Sequence, residues 1–350
     1  MRILVTGSQG YLAGALLPAL AASGHDVVGL DTGWFASCVF GDAPQDPPTL
    51  AVDLRDVTED HLAGVDAVVH LAALSNDPLG DLEPEVTHAI NHGASVRLAE
   101  AARRAGVRRF VYSSTCSVYG SSGGDALVDE DAPLAPVTAY AVSKVRAERD
   151  LHALGTGAFT MTALRNATVY GIAPRLRADL VVHDLAVAAV HEGVALVKSD
   201  GTPWRPLVHV EDVARAFVAV LEAPVDAIAG QSFNSGRQGE DHRVVDVARA
   251  VAACVPGCEV RVTGEAGADP RSYRVDVGRL AAAVPSFRPT WTLAAGAEQV
   301  VQAVRASPLS AVDYSERFVR LRRLKALQQD GRLDADLRWL APDLRGRQAP

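Results

Sequence analysis

The sequence predicts an α/β fold, a parallel sheet covered on both faces by helices, with a smaller lobe toward the C-terminus. Three observations carry that reading. Short apolar runs alternate with helical patterns through the first half of the chain, which is the signature of βαβ units. The runs Ile3-Leu4-Val5 and Ala67-Val68-Val69 are wholly apolar, as strands buried on both faces must be. The first strand also runs straight into a glycine turn and a helix, Thr6-Gly7-Ser8-Gln9-Gly10-Tyr11-Leu12-Ala13-Gly14.

Taken in order, strands are predicted at Arg2–Thr6, Asp26–Asp31, Ala67–Leu71, Arg109–Ser113 and Thr160–Arg165, with a short one at Ala51-Val52. Helices are predicted over Tyr11–Ser23, Asn91–Ala105 and Thr138–Leu154. After Tyr170-Gly171 the pattern loosens into an amphipathic stretch at Leu180–His191, a strand at Trp204–Val210 and a helix from Val213 to Glu222. A charged helix over Glu316–Gln329 ends the chain, with Phe318, Leu321, Leu324 and Leu327 on one packing stripe. Gly41–Pro48 and Ser121–Asp131, rich in turn residues, read as loops. The expected division is a sheet domain over 1–170 with 207–240 returning to it, a lobe from 171–206 and 241–310, and a helical extension over 311–350.

Composition narrows the function. The 350 residues carry a formal net charge of −8, which argues against a nucleic-acid or anionic-membrane partner, since broad phosphate binding needs a positive field. No apolar run approaches the roughly 20 residues that span a bilayer, and the N-terminus lacks a signal-peptide pattern. Cys38, Cys116, Cys254 and Cys258 show no metal-ligand spacing. A cytoplasmic protein with free thiols and no metal is expected.

The glycine loop suits a dinucleotide. Gly7 permits a tight turn, and Gly10 lets backbone N–H groups approach a pyrophosphate at the helix N-terminus. Ala13 departs from the usual third glycine but keeps the residue small. Asp31 ends the second strand, about 20 residues further on, where an acid binds a ribose 2′-hydroxyl and repels the 2′-phosphate of NADP. NAD is therefore the expected cofactor. A turn-capping aspartate is the plain alternative. Asp53-Leu54, after the third strand, falls near the adenine.

A reacting centre is written further along. Tyr140 and Lys144 are four apart in a predicted helix and share a face. A phenol of reference pKa near 10 needs a cation beside it to act as a base at neutral pH. Thr115 follows the strand Arg109–Ser113, at the carboxyl end where ligands of open α/β sheets bind. Its hydroxyl can orient a substrate oxygen for Tyr140.

Together these pieces resemble the extended short-chain dehydrogenases/reductases, the NAD-dependent nucleotide-sugar epimerases and dehydratases that include UDP-galactose 4-epimerase. The matching residues, in family order over residues 1–280, are the loop at 7–13, Asp31, Asp53-Leu54, His70-Leu71-Ala72-Ala73, Asn91, the Ser113-Ser114-Thr115 run with Val118-Tyr119-Gly120, Tyr140/Lys144, Arg165-Asn166, Tyr170-Gly171, Arg205, His209-Val210 and Asp212. The resemblance implies a doubly wound Rossmann sheet and a catalytic Thr115/Tyr140/Lys144 triad. It implies NAD contacts from Gly7, Gln9, Gly10, Tyr11, Leu12, Asp31, Asp53, Leu54, Leu71, Ala72, Ala73, Asn91, Ser113, Tyr140 and Lys144. A nucleotide sugar is expected on Asn166, His183, Arg205 and Arg271, and a homodimer through the helices Asn91–Ala105 and Thr138–Leu154.

The departures matter as much. The 4,6-dehydratases carry an Asp-Glu pair after the threonine, where this chain has Cys116-Ser117, so dehydration is not expected. Cys116 is read either as a small buried residue or as an acid/base, and His183 as a substrate contact, an acid/base or a plain helix histidine. Epimerisation through a transient 4-keto sugar is the leading expectation. A 4-ketoreductase, an epimerase/reductase with extra acid/base residues, and a non-catalytic dinucleotide sensor are the alternatives.

Overall fold

The computed structural model describes residues 1–75, 83–121, 125–264 and 271–341. At its centre is a seven-stranded parallel sheet in the order β3-β2-β1-β4-β5-β7-β11, comprising β1 (Arg2–Thr6), β2 (Asp26–Asp31), β3 (Thr49–Ala51), β4 (Ala67–His70), β5 (Arg109–Thr115), β7 (Thr160–Asn166) and β11 (Gln231–Ser235). Ile3, Leu4, Val5, Ala67, Val68 and Val69 are fully buried, because one core packs on each face of the sheet. Leu98, Ala102, Ala147 and Leu151 from the helices Ser95–Arg104 and Ala139–Leu154 fill one. Leu16, Leu20, Val213 and Phe217 from the helices Tyr11–Ala22 and Val210–Glu222 fill the other. The chain runs outward from β1 to β3, then restarts at β4 on the other side. This reversal opens a crevice at the carboxyl ends of β1 and β4.

The remaining strands build outside that sheet. They pair as β8 (Thr168–Tyr170) with β10 (Trp204–His209) and β12 (Asp241–Arg243), β9 (Val194–Val197) with β13 (Glu259–Val262), and β6 (Leu127–Val128) with β14 (Arg274–Val275). A third core forms here from helices Val181–Glu192, Val244–Ala253 and Leu293–Ala306. Among the described residues no helix is long and apolar enough to cross a membrane.

Three local features differ from the sequence reading. First, β5 and β7 run further than predicted, to Thr115 and Asn166, and the two residues pair across the sheet. Second, the helix expected from Asn91 starts at Pro84, passes through a π turn over Ala89–Ala94, and continues as Ser95–Arg104. Proline suits a first helical turn because its missing N–H is not needed there. Third, the predicted tail helix is broken. Ala311–Phe318 begins with a Ser310/Asp313 capping box, Val319 is extended at φ −87° and ψ 109°, and Arg320–Gln329 follows. Phe318 therefore packs into the lobe while Leu324 and Leu327 pack against the sheet. The loop expected over Ser121–Asp131 contains β6, and its residues 122–124 lie outside the described residues.

One buried ion pair ties the helix Ala139–Leu154 to the sheet. Glu148 accepts from Arg165 Nη2 at 2.6 Å and Nε at 3.0 Å, and from the hydroxyls of Ser114 (2.6 Å) and Ser232 (2.8 Å). Burial raises the pKa of Glu148, but the guanidinium and hydroxyls outweigh it and leave the carboxyl below its ordinary range. The Glu148→Ala variant strands a buried guanidinium and should lose about 3–5 kcal/mol of unfolding free energy, measured by urea titration.

Candidate active site

A cavity of about 600 Å³ occupies the crevice and runs on into the lobe. Its floor begins at the glycine loop. Gly7 has φ +72°, and a Cβ there would lie 2.8 Å from the Ala72 nitrogen. Gly10 caps the helix Tyr11–Ala22 without any side-chain hydrogen bond, and the first turn holds no acid. Its backbone donors are thus open to an anion. Ala13 is fully buried, so the departure from glycine keeps a residue small enough for the packing. Gly14 meets Pro174, where a Cβ would come within 2.9 Å of its ring.

Asp31 lines the cavity at the end of β2. Its carboxylate accepts from the backbone N–H of Gln9 at 2.9 Å and of Gly33 at 2.8 Å. Burial raises its pKa against those two donors and the charges of Arg175 and Arg320. Gln9 thus acts through its backbone and is not itself among the lining residues. Asp53 and Leu54 line the same end, with Asp53 gripped by Arg55 at 2.6 Å and 2.9 Å. Leu71, Ala72 and Ala73 form the wall after β4.

Behind that wall His70 links three elements. The Ser95 hydroxyl donates to the Asn91 carbonyl at 2.7 Å, so it accepts from His70 Nε2, and His70 Nδ1 accepts from Thr6 Oγ1 at 2.6 Å. Burial drives His70 down to about 3, which keeps the ring neutral.

At the carboxyl end of β5 the cavity gathers Ser113, Thr115, Tyr140, Lys144 and Asn166. Lys144 Nζ donates to the Ser113 carbonyl at 2.8 Å and lies 4.6 Å from the Tyr112 ring centre and 5.9 Å from that of Tyr140. Burial lowers Lys144 to about 7, with Glu148 pulling the other way. A poorly hydrated ammonium of this kind is a strong partner for a phenolate. Asn166 donates to Ser113 Oγ at 3.1 Å, while its Oδ1 is buried without a partner. Arg205 and Arg271 meet on the lobe side. Arg205 Nη1 donates to the Arg271 carbonyl, and Arg271 Nη1 donates to Ser117 Oγ at 3.2 Å.

Besides Gln9, three residues singled out in the sequence do not reach the cavity. Cys116 is 1 % exposed, its thiol turned onto the Arg165 carbonyl at 3.1 Å, and burial raises its pKa far above the ordinary range. Cys116 thus packs as a small buried residue, without the access to the cavity that an acid/base role needs. His183 is excluded on similar grounds: Nδ1–H donates to the Arg177 carbonyl at 2.6 Å and Nε2 accepts from Gly171 N–H at 3.0 Å. Both ring nitrogens are engaged, and burial lowers His183 to about 4, which leaves neither a substrate contact nor a proton carrier. Asn91 instead brackets the Leu74 backbone through N–H at 2.8 Å and C=O at 3.0 Å, and donates to Ser143. It braces the wall and is not among the residues that line the cavity.

The sequence reading also missed groups. Arg177 and Asp179 line the cavity as a two-pronged pair, at 3.0 Å and 2.8 Å, and Arg177 reaches Ser75. The Arg-x-Arg-x-Asp run after Tyr170-Gly171 was the available signal. Val319, Arg320 and Leu321 from the tail complete the lining, for which the local pattern held no signal. Among the described residues no cluster of His, Cys, Asp or Glu could hold a metal ion.

In sequence and in fold the chain is similar to known proteins. Residues 3–236 match the NAD dependent epimerase/dehydratase family. The chain belongs to that family. A UDP-glucose 4-epimerase of Mycolicibacterium smegmatis is 32% identical over 250 residues, covering 67% of this chain and 77% of that protein. An NAD-dependent NDP-hexosamine 5,6-dehydratase of tunicamycin biosynthesis superposes with a TM-score of 0.77 at 27% identity, covering 88% of this chain and 99% of the other. A UDP-glucuronic acid 4-epimerase from Bacillus cereus, in complex with UDP-glucuronic acid and NAD, superposes at 0.74 with 25% identity, covering 87% and 99%. This family member is an NAD-dependent enzyme, and the bare helix N-terminus, the glycine cradle and Asp31 fit the cofactor.

The neutral histidines set a pH dependence. His70 at about 3 and His183 at about 4 stay unprotonated in the fold, while the unfolded chain protonates near 6.5. Their contribution is complete above about pH 6.5 and is lost as the pH falls toward 4, at about 1.4 kcal/mol per pH unit for each ring. Urea titrations at successive pH values should show this slope, and His183→Asn should remove one ring's share.

Proposed function

We propose that this enzyme is a 4-epimerase of a nucleotide-linked sugar. The observation that carries the reading is the placement of Thr115, Tyr140, Lys144 and Asn166 on the cavity that begins at Gly7, Gly10 and Asp31. Bound NAD supplies a hydride acceptor for the sugar carbon and a donor for its return. Thr115 orients the sugar hydroxyl, and Tyr140 takes its proton and later restores it. Lys144 stabilises the phenolate and binds the nicotinamide ribose. Arg205 and Arg271 hold the substrate diphosphate, whose charge a guanidinium fork matches. The cofactor contacts are proposed to run from the glycine loop through Asp31, Asp53-Leu54, Leu71–Ala73 and Ser113.

Loss of water needs an acid/base pair beside the ketone. Cys116 is sealed against Arg165 and His183 is bonded to backbone, so neither supplies it. The same absence disfavours a route in which the neighbouring carbon exchanges its proton. The lobe over 171–206 and 241–310 is proposed to cover the sugar nucleotide, with 1–170 and 207–240 holding the cofactor.

The test is to incubate NAD-loaded enzyme with UDP- and dTDP-hexoses in D₂O. The expected product is the 4-epimer, without solvent deuterium and without net NADH. A stable keto or unsaturated product overturns the proposal. Tyr140→Phe should lower turnover on that substrate by roughly 10²-fold or more while NAD still binds. Activity near that of the unaltered protein would remove Tyr140 from the chemistry.

The same reading places the enzyme in the cytoplasm as a homodimer. The helices Ser95–Arg104 and Ala139–Leu154 that would form the interface pack on one face of the sheet, and His92 beside them lies 2.7 Å from Asp150. Light scattering at micromolar concentration should give twice the monomer mass, since two-fold pairs are the commonest closed assembly.

A further inference from the structure

The C-terminal segment brings a cation to the cavity that the matched residues 3–236 do not include. Arg320 opens the helix Arg320–Gln329, is 2 % exposed and lines the cavity. Its guanidinium lies 4.3 Å from the centre of the Phe35 ring, and Nη2 donates to the Arg175 carbonyl at 2.8 Å. Nη1 is buried with no acceptor. The neighbouring arginines differ: Arg175 is held two-pronged by Asp46, and Arg177 by Asp179. Among the described residues Arg320 has no carboxylate of its own, although its charge reaches Asp31 and Asp179. Burial lowers its pKa to about 10.

A buried guanidinium with an open donor is costly unless an anion completes it. Its position narrows which anion. Asp31 marks the ribose end of the cavity and the bare helix N-terminus marks the pyrophosphate, and Arg320 lines the same cavity against Phe35, which follows Asp31 by four residues. The tail is also fastened to the loops of that end. Trp339 Nε1 donates to the Thr32 carbonyl at 2.7 Å, Arg55 Nη1 to the Asp336 carbonyl at 2.7 Å, and Arg338 pairs with Asp56 at 2.7 Å. Leu324, Leu327, Leu333 and Leu337 anchor it in the sheet core. Arg320 is thus held in place before any ligand arrives, which lowers the entropy lost on binding.

We propose that Arg320 is a phosphate ligand of the bound dinucleotide, supplied by the C-terminal segment to close the adenosine end of the cofactor cavity. This rests on NAD binding and not on which reaction the enzyme performs, so the test reads binding alone. Affinities of NAD, ADP and adenosine are measured by calorimetry on the full-length protein freed of bound nucleotide, for the unaltered chain, Arg320→Met and Arg320→Lys. Arg320→Met should weaken NAD and ADP by on the order of 10- to 100-fold, the usual worth of a charged hydrogen bond, with adenosine unchanged. Arg320→Lys should recover part of the loss, because it keeps the charge without the fork.

Equal weakening of adenosine and ADP would reduce Arg320 to a packing partner of Phe35 and overturn the proposal, as would unchanged ADP affinity in Arg320→Met. If Arg320→Met does not fold, the Lys variant decides. A several-fold loss for ADP with adenosine unmoved supports the phosphate contact, and equal effects on the two overturn it.

Discussion

The site depends on the ion pair between Glu148 and Arg165. Glu148 lies one helical turn beyond Lys144 on the helix that carries Tyr140, and Arg165 precedes Asn166 on β7. Their contact presses that helix onto the sheet at the level where Ser114, next to Thr115, also bonds to Glu148. Arg165 extends the grip to the Tyr119 hydroxyl at 2.9 Å and the Glu130 carbonyl at 3.0 Å, fixing the loop after β5. A pair this buried adds little stability relative to an apolar substitute. Its consequence is register: it sets where the phenol and ammonium stand against the threonine.

Chemistry in the cavity follows from how polar groups are rationed. Lys144 is surrounded by a carbonyl and two aromatic rings, so burial brings it down to about 7. Its ammonium then responds strongly to any anion beside it. The residues behind the wall are arranged to opposite effect. His70, His183 and Asn91 are each saturated by backbone and hydroxyl partners, which makes them rigid and chemically quiet. Reactive and inert polar residues lie on adjoining elements, and the difference between them is hydrogen-bond saturation.

The C-terminal segment shows how a local break redirects a helix. Val319 leaves helical geometry between the Ser310-capped helix and Arg320–Gln329. The turn lets Phe318 remain in the lobe core while Leu324 and Leu327 cross to the sheet core. An unbroken helix would carry all four apolar residues on one stripe and could not serve both cores. Placing Val319, Arg320 and Leu321 on the cavity is the outcome of that division.

What the sequence by itself determined is local and periodic. Wholly apolar runs marked the buried strands, a glycine turn between strand and helix marked the dinucleotide end, and the four-residue spacing of Tyr140 and Lys144 placed them on one helix face. Each of these is set by short-range geometry that neighbouring residues cannot easily override. Tertiary structure alone decided which polar side chains face the cavity. Cys116 and His183 stand at positions that invite a catalytic role, yet partners 49 and 12 residues away occupy them. Arg320 had no local mark at all, since only the packing of its helix against the sheet carries it to the cavity. Hydrogen-bond partners and burial depend on contacts distant in sequence, and no spacing along the chain records them.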